Sequence, residues 1–225
     1  MCFSASASFV AGASLLAIGT MTVNRAGRKS ELPFAAIPLL FGLQQVLEGI
    51  LWLAYRFDTP LLNTVVTNAY SFFSHVFWPI YVPFAVLALE SVPWRRKMLY
   101  AFLAVGTAAG LYLLINMVRF PITSQPVGAH IEYVSAHFYV GVVMGSYLAG
   151  TCLSMLFSSH KIVIVFGAAA LLSFMAVYWI YTLWFISVWC FFAAVLSALI
   201  YLQFRTRVLR PVSRLPPLCA ARVRT

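Results

Sequence analysis

Long apolar runs, broken by short polar or basic stretches, fill the chain from residue 5 to residue 204. A helix needs about 20 such residues to cross the hydrocarbon core of a bilayer. The pattern predicts seven spans, at about residues 5–23, 34–54, 65–89, 98–118, 134–157, 162–181 and 184–204. The stretch 162–204 is too long for a single crossing of about 30 Å, so it must fold back near Tyr181–Trp184. The first run has no basic residue before it and no A-x-A site after it, and reads as a retained span rather than a signal peptide. Pro79 and Pro83 predict a kink in span three. Pro121, Pro126 and Gly128 break the chain between spans four and five, making 119–133 the longest loop.

The fold class is therefore all-α: a polytopic seven-helix membrane protein with one transmembrane domain over 1–204. Residues 205–225 carry six arginines and three prolines and read as a disordered basic tail.

Composition agrees. Hydrophobic residues make up 63% of the chain and charged residues 9%, with a mean hydropathy of +0.92. Soluble domains carry about 25% charged residues, so a soluble enzyme is excluded. The net charge of +10 changes the picture through its distribution. Alternating spans put Arg25, Arg28, Lys29, Arg95, Arg96, Lys97, Lys161 and the six tail arginines on one side, and only Arg56 and Arg119 on the other. The positive-inside rule then sets the N-terminus out and the C-terminus in. The basic face suits anionic lipid headgroups and calls for no nucleic acid. Tyr55, Tyr70, Tyr133, Tyr181 and Trp184 fall near the outer boundary, where an aromatic belt would lie. Gly141 and Gly145 read as a small-residue packing face. The four cysteines have no paired spacing, and Cys152 and Cys190 read as core.

The chemistry-bearing residues interrupt two of the apolar runs. On an ideal helix Gln44, Glu48, Trp52 and Gln45 fall at about 0°, 40°, 80° and 100°, so they share one face of span two. Ionisable groups inside a membrane are costly and face protein or a cavity, which makes Glu48 a candidate functional residue. Asn68, Ser71, Ser74, His75 and Trp78 share an arc of about 120° on span three. His137 opens span five, with His130 and Glu132 just before it, and Cys2 lies on the same outer side. Two readings stand for this set. Glu48 and His75 could serve as acid and base, or as metal ligands with His137, and with His130 and Cys2 as further donors. Gln44 and Gln45 would then orient them, with Trp52, Ser71 and Trp78 lining a substrate pocket. Alternatively, the same residues are interhelical glue.

Met1-Cys2-Phe3-Ser4-Ala5, Glu31-Leu32-Pro33-Phe34-Ala35, Gln44-Gln45-x-x-Glu48-Gly49-x-x-Trp52 and Ser74-His75-x-x-Trp78-Pro79 resemble an uncharacterised bacterial family of small membrane proteins that begin MCFSA. The resemblance covers most of the chain. It implies a multi-pass protein of the bacterial inner membrane and no particular activity. Ser71-x-x-x-His75 is also similar to the serine and histidine of seven-span hydrolases of the alkaline ceramidase and adiponectin-receptor type. That resemblance implies a bound zinc or other transition-metal ion, although span seven has no histidine to match those enzymes' last pair.

The resulting expectation is a membrane-embedded enzyme, a metal-dependent hydrolase in its sharpest form, acting on a lipid or small amphipathic substrate through a pocket in the outer half. The alternatives are a seven-helix sensor or ligand-binding protein, and a small-molecule or ion transporter. The sequence leaves substrate and oligomeric state open.

Overall fold

A computed structural model describes residues 4–136, 139–180 and 185–208. Cys2, His137, Tyr181, Trp184 and the tail beyond residue 208 lie outside the described residues. The chain runs as α1 (Ala5–Asn24), a short entry helix α2 (Leu32–Ala35), α3 (Ile37–Arg56), α4 (Pro60–Ser71), a π-helical turn (Phe72–Phe77), α5 (Trp78–Leu89), α6 (Pro93–Arg119), strands β1 (Thr123–Val127) and β2 (His130–Val134), α7 (Val140–Leu148), a second π-helical turn (Ala149–Leu153), α8 (Ser154–Leu156), α9 (Lys161–Ile180) and α10 (Phe185–Val208). Among the described residues six helical stretches are long and apolar enough to cross a membrane, and the shorter Val140–Leu156 stretch packs among them. Leu61, Val118 and Trp179 are 79%, 80% and 81% exposed, an outward apolar surface that only lipid would cover. The protein is an all-α multi-pass membrane protein carrying one small hairpin.

Helices surrounded by lipid gain nothing from mere hydrophobicity, so close packing must hold them together. Glycines provide it between α1 and α3. A Cβ on Gly12 would press on Val46 and on the Gly42 carbonyl, one on Gly42 would lie 2.9 Å from the Leu16 backbone nitrogen, and one on Gly49 would meet the Phe9 ring. Gly141 and Gly145 do not form the packing face expected of them. Both are exposed, with nothing within 4 Å of an added Cβ.

Span three carries a π-helical turn beside its two prolines. Pro83 has no N–H to give the Pro79 carbonyl, and Pro79 none to give the His75 carbonyl. The turn before Trp78 opens to π geometry, with Trp78 N–H bonding to the Phe73 carbonyl. The Pro79 oxygen is met by glycine backbones from two other helices. A Cβ on Gly106 of α6 would collide with it, and one on Gly150 in the second π turn would approach to 2.8 Å.

The loop over 119–133 is not a plain loop. Gly128, at φ 64°, and Ala129 form a tight turn, and β1 and β2 pair antiparallel from Thr123 opposite Val134 to Val127 opposite His130. The Gln125 side-chain amide donates to Glu132 across the strands at 2.7 Å. Ile131 and Tyr133 of β2 are buried with Leu51, Val66, Tyr70 and Cys190, which plugs this end of the bundle. Tyr70 stacks on Tyr133, centroids 4.7 Å apart, so these two are a buried roof rather than a lipid-facing belt. Ser124 Oγ lies 2.6 Å from the Tyr55 hydroxyl and 2.5 Å from Thr67 Oγ1, tying β1 to α3 and α4.

At the opposite, basic end, Glu90 is buried between two loops. Its carboxylate accepts the backbone N–H groups of Ser91, Val92 and Ser159 and the Ser159 hydroxyl. Arg96 bonds the Leu87 and Glu90 carbonyls, and Arg95 those of Phe157 and Ser158. Burial alone would push the Glu90 carboxyl up, but these donors outweigh it and hold it below its ordinary value.

Gly106→Ala is expected to destabilise the protein by about 1–3 kcal/mol through forced backbone movement, whereas Gly141→Ala should be neutral or slightly stabilising. Thermal unfolding in detergent would check both, and equal effects would contradict the packing described. Because the Glu90 pKa is lowered on folding, its contribution is complete above the unfolded value, 4.5, and is lost as pH falls through the folded one. Glu90→Gln should therefore remove stability at pH 7 and flatten the acid limb of the stability profile.

Candidate functional site

α3 brings Gln44, Gln45 and Glu48 into the bundle, each fully buried. A helix already satisfies its own backbone, so these side chains must find partners elsewhere. The Trp78 indole N–H donates to Gln44 Oε1 at 2.7 Å, and Phe41 stacks on the same indole with centroids 3.9 Å apart. Spans two and three are thus joined through Gln44 and Trp78. Glu48 Oε1 accepts the Ser187 hydroxyl of α10 at 2.6 Å, within the range of a hydroxyl on a carboxylate. Cys190, almost one turn on from Ser187, lies beside Glu48 with the Tyr70 hydroxyl and the Gln44 side chain in reach. Above them sit Tyr70, Tyr133 and Ile131, so the hairpin roofs the polar face.

His75 takes a different direction. An inserted residue shifts the phase of a helix by about 100°. The π turn therefore lets Trp78 face α3 while His75 looks to α6 and the foot of β2. Its Nδ1 lies 3.1 Å from the Ser71 carbonyl and 2.8 Å from Ser74 Oγ, and its Nε2 lies 3.3 Å from Ser135 Oγ. A carbonyl only accepts, so the network assigns the proton to Nδ1 and leaves Nε2 as acceptor for the Ser135 hydroxyl. The Tyr147 hydroxyl donates to the Ser74 carbonyl at 2.6 Å, joining α7 to the first π turn. Glu48 and His75 thus take these bonds from different elements, and Cys190 links their surroundings: it lies beside Glu48 and lines a cavity of about 60 Å³ with His75, Ser74, Tyr147 and Trp189. A second cavity, of about 30 Å³, lies deeper among Phe41, Trp78, Thr151, Cys152 and Cys190.

Among the described residues no group of three His, Cys, Asp or Glu is placed to hold an ion. His130 sits at the hairpin turn, where burial pushes its imidazole below the ordinary value, and Glu132 is engaged by Gln125. His137 and Cys2 lie outside the described residues. The hydrolase-like Ser71 and His75 meet through the Ser71 backbone, while the Ser71 hydroxyl has no hydrogen-bond partner among the described residues. The ceramidase-type resemblance gains no support from this arrangement.

Among the described residues, Nε2 and Oε1 of Gln45 and Nε1 of Trp52 are buried without a hydrogen-bond partner. Sequence reasoning found Gln44, Gln45, Glu48 and Trp52 but missed Ser187, Cys190 and Ser135. Ser187 and Cys190 carried a weak signal, two small polar residues three apart in an apolar run.

The chain matches the model of a family of unknown function (DUF6629) over residues 1–214, and belongs to that family. No curated protein and no solved structure matches it.

Removing the Ser187 donor should expose the cost of a buried carboxylate. Ser187→Ala is expected to destabilise by about 1–3 kcal/mol, and less in a Glu48→Gln background. Thermal unfolding of the two singles and the double decides it; additive effects would mean the pair is not coupled.

Proposed function

We propose that this member of a family of unknown function is a membrane-embedded binding protein that takes a small hydrogen-bonding molecule into the hairpin end of its helical bundle. The supporting observation is Gln45, fully buried, with neither amide atom partnered among the described residues. Leaving such groups bare in hydrocarbon costs several kcal/mol each. A ligand carrying both a donor and an acceptor would satisfy them, and the hairpin would serve as its lid. Ser124 ties that lid to α3 and α4 by hydroxyl contacts, beside the apolar seam of Ile131 and Tyr133.

Transport fits less well. Away from the hairpin end, Thr151, Ser154 and Ser197 donate to carbonyls of their own segments, so they lay down no polar path. An enzyme using the same end of the bundle is the second reading, favoured by the contact of Ser135 with His75.

Gln45→Leu separates binding from bare packing. If a ligand is bound, a small molecule released from purified wild type and identified by mass spectrometry should be absent from the variant. Adding it back should raise the wild-type melting temperature only. If nothing binds there, replacing the orphaned amide with leucine should simply stabilise the protein, and the binding reading falls.

A further inference from the structure

We propose that Ser135 and His75 form a nucleophile–base pair for acyl transfer from a small carboxylic ester, completed when the hairpin docks. The inference rests on the reading that the hairpin end admits a ligand, and adds chemistry to it.

Three observations carry it. First, the base is oriented: His75 Nδ1 is held by the Ser71 carbonyl at 3.1 Å, leaving Nε2 to accept from Ser135 Oγ at 3.3 Å. A hydroxyl nucleophile activated by an imidazole, itself fixed by a third group, is the general form of such sites. Contacts of this kind are commonly loose without substrate. Second, Ser135 directly follows β2, whose Ile131 and Tyr133 are anchored in the bundle. Lid and nucleophile are therefore one segment, so undocking the hairpin would carry Ser135 away from its base. Third, a cavity of about 10 Å³, room for one water-sized group, is lined by His75, Ser135 and Asn116 among apolar walls. Asn116 spends one amide N–H on the Tyr112 carbonyl at 2.8 Å, leaving a second that could stabilise an oxyanion.

Ser135 Oγ attacks the ester carbonyl carbon while its proton passes to His75 Nε2. The tetrahedral adduct collapses, the bond to the alkoxy oxygen breaks, and His75 returns the proton to the departing alcohol. Water then attacks the acyl-serine with His75 again as base, releasing the carboxylic acid and restoring the hydroxyl. Half-buried Ser135 leaves its hydroxyl reachable by an ester from the membrane surface, and the small cavity has room for the carbonyl oxygen alone.

The test is labelling of the full-length protein in detergent with an alkyl fluorophosphonate, with peptide mass spectrometry to place the adduct. Wild type should be labelled on Ser135, at a rate that rises with pH as the imidazole loses its proton. Ser135→Ala should abolish labelling. His75→Gln should slow it at least about 100-fold, the usual worth of a general base, and remove the pH dependence. Absence of an adduct on Ser135, or labelling indifferent to His75→Gln, would overturn the proposal. Should Ser135→Ala misfold, Ser135→Cys serves instead: its thiol should react with iodoacetamide faster in the His75 background than in His75→Gln, and equal rates would overturn the pair. The ligand-dependent melting shift is read separately. A shift without labelling refutes the acyl-transfer step and leaves binding standing. Labelling without a shift refutes the Gln45 pocket alone.

Discussion

Water is missing from the middle of this protein's surroundings, and every buried polar group must answer to that. α3 carries Gln44, Gln45 and Glu48 across a region where solvent cannot repay their dehydration. The bundle is arranged around meeting that demand. α5 turns an indole toward Gln44, and α10 turns a serine toward Glu48. The hairpin covers what would otherwise open to the interface. The demand is met only in part: among the described residues, both amide atoms of Gln45 are left without a hydrogen-bond partner.

The overall plan was legible because it depends on length and apolarity. Runs of about 20 apolar residues must be helices that cross a bilayer, whatever packs against them. Basic residues cluster at one end of the bundle for a similarly simple reason. What could not be read were features that depend on a partner. Pro79 and Pro83 announce lost hydrogen bonds, but whether the helix bends or opens into a π turn depends on Gly106 and Gly150, contributed by later helices. The hairpin was hidden because its strands are short and contain Pro126, and because Ile131 and Tyr133 find their burial between distant helices.

The same dependence decided the candidate site. An ideal helix puts His75 and Trp78 on one face, and from that face a meeting of His75 with Glu48 follows. The π turn changes the phase between them, so the indole reaches α3 while the imidazole reaches Ser135. A single inserted residue thus redirects the most reactive side chain of the span. Ser187 and Ser135 gain significance only from Glu48 and His75, each more than fifty residues away in sequence.

The glycines divide the bundle mechanically. Gly12, Gly42, Gly106 and Gly150 bring α1, α3, α5, α6 and the second π turn to backbone contact and Gly49 seats the Phe9 ring, while Gly141 and Gly145 of α7 have nothing within 4 Å of an added Cβ. The hairpin is held differently, by the apolar burial of Ile131 and Tyr133 against Leu51, Val66, Tyr70 and Cys190. Lifting it would part side chains from side chains and leave the glycine contacts between the helices untouched, so the frame that carries Gln44 and Glu48 does not depend on the cover above it.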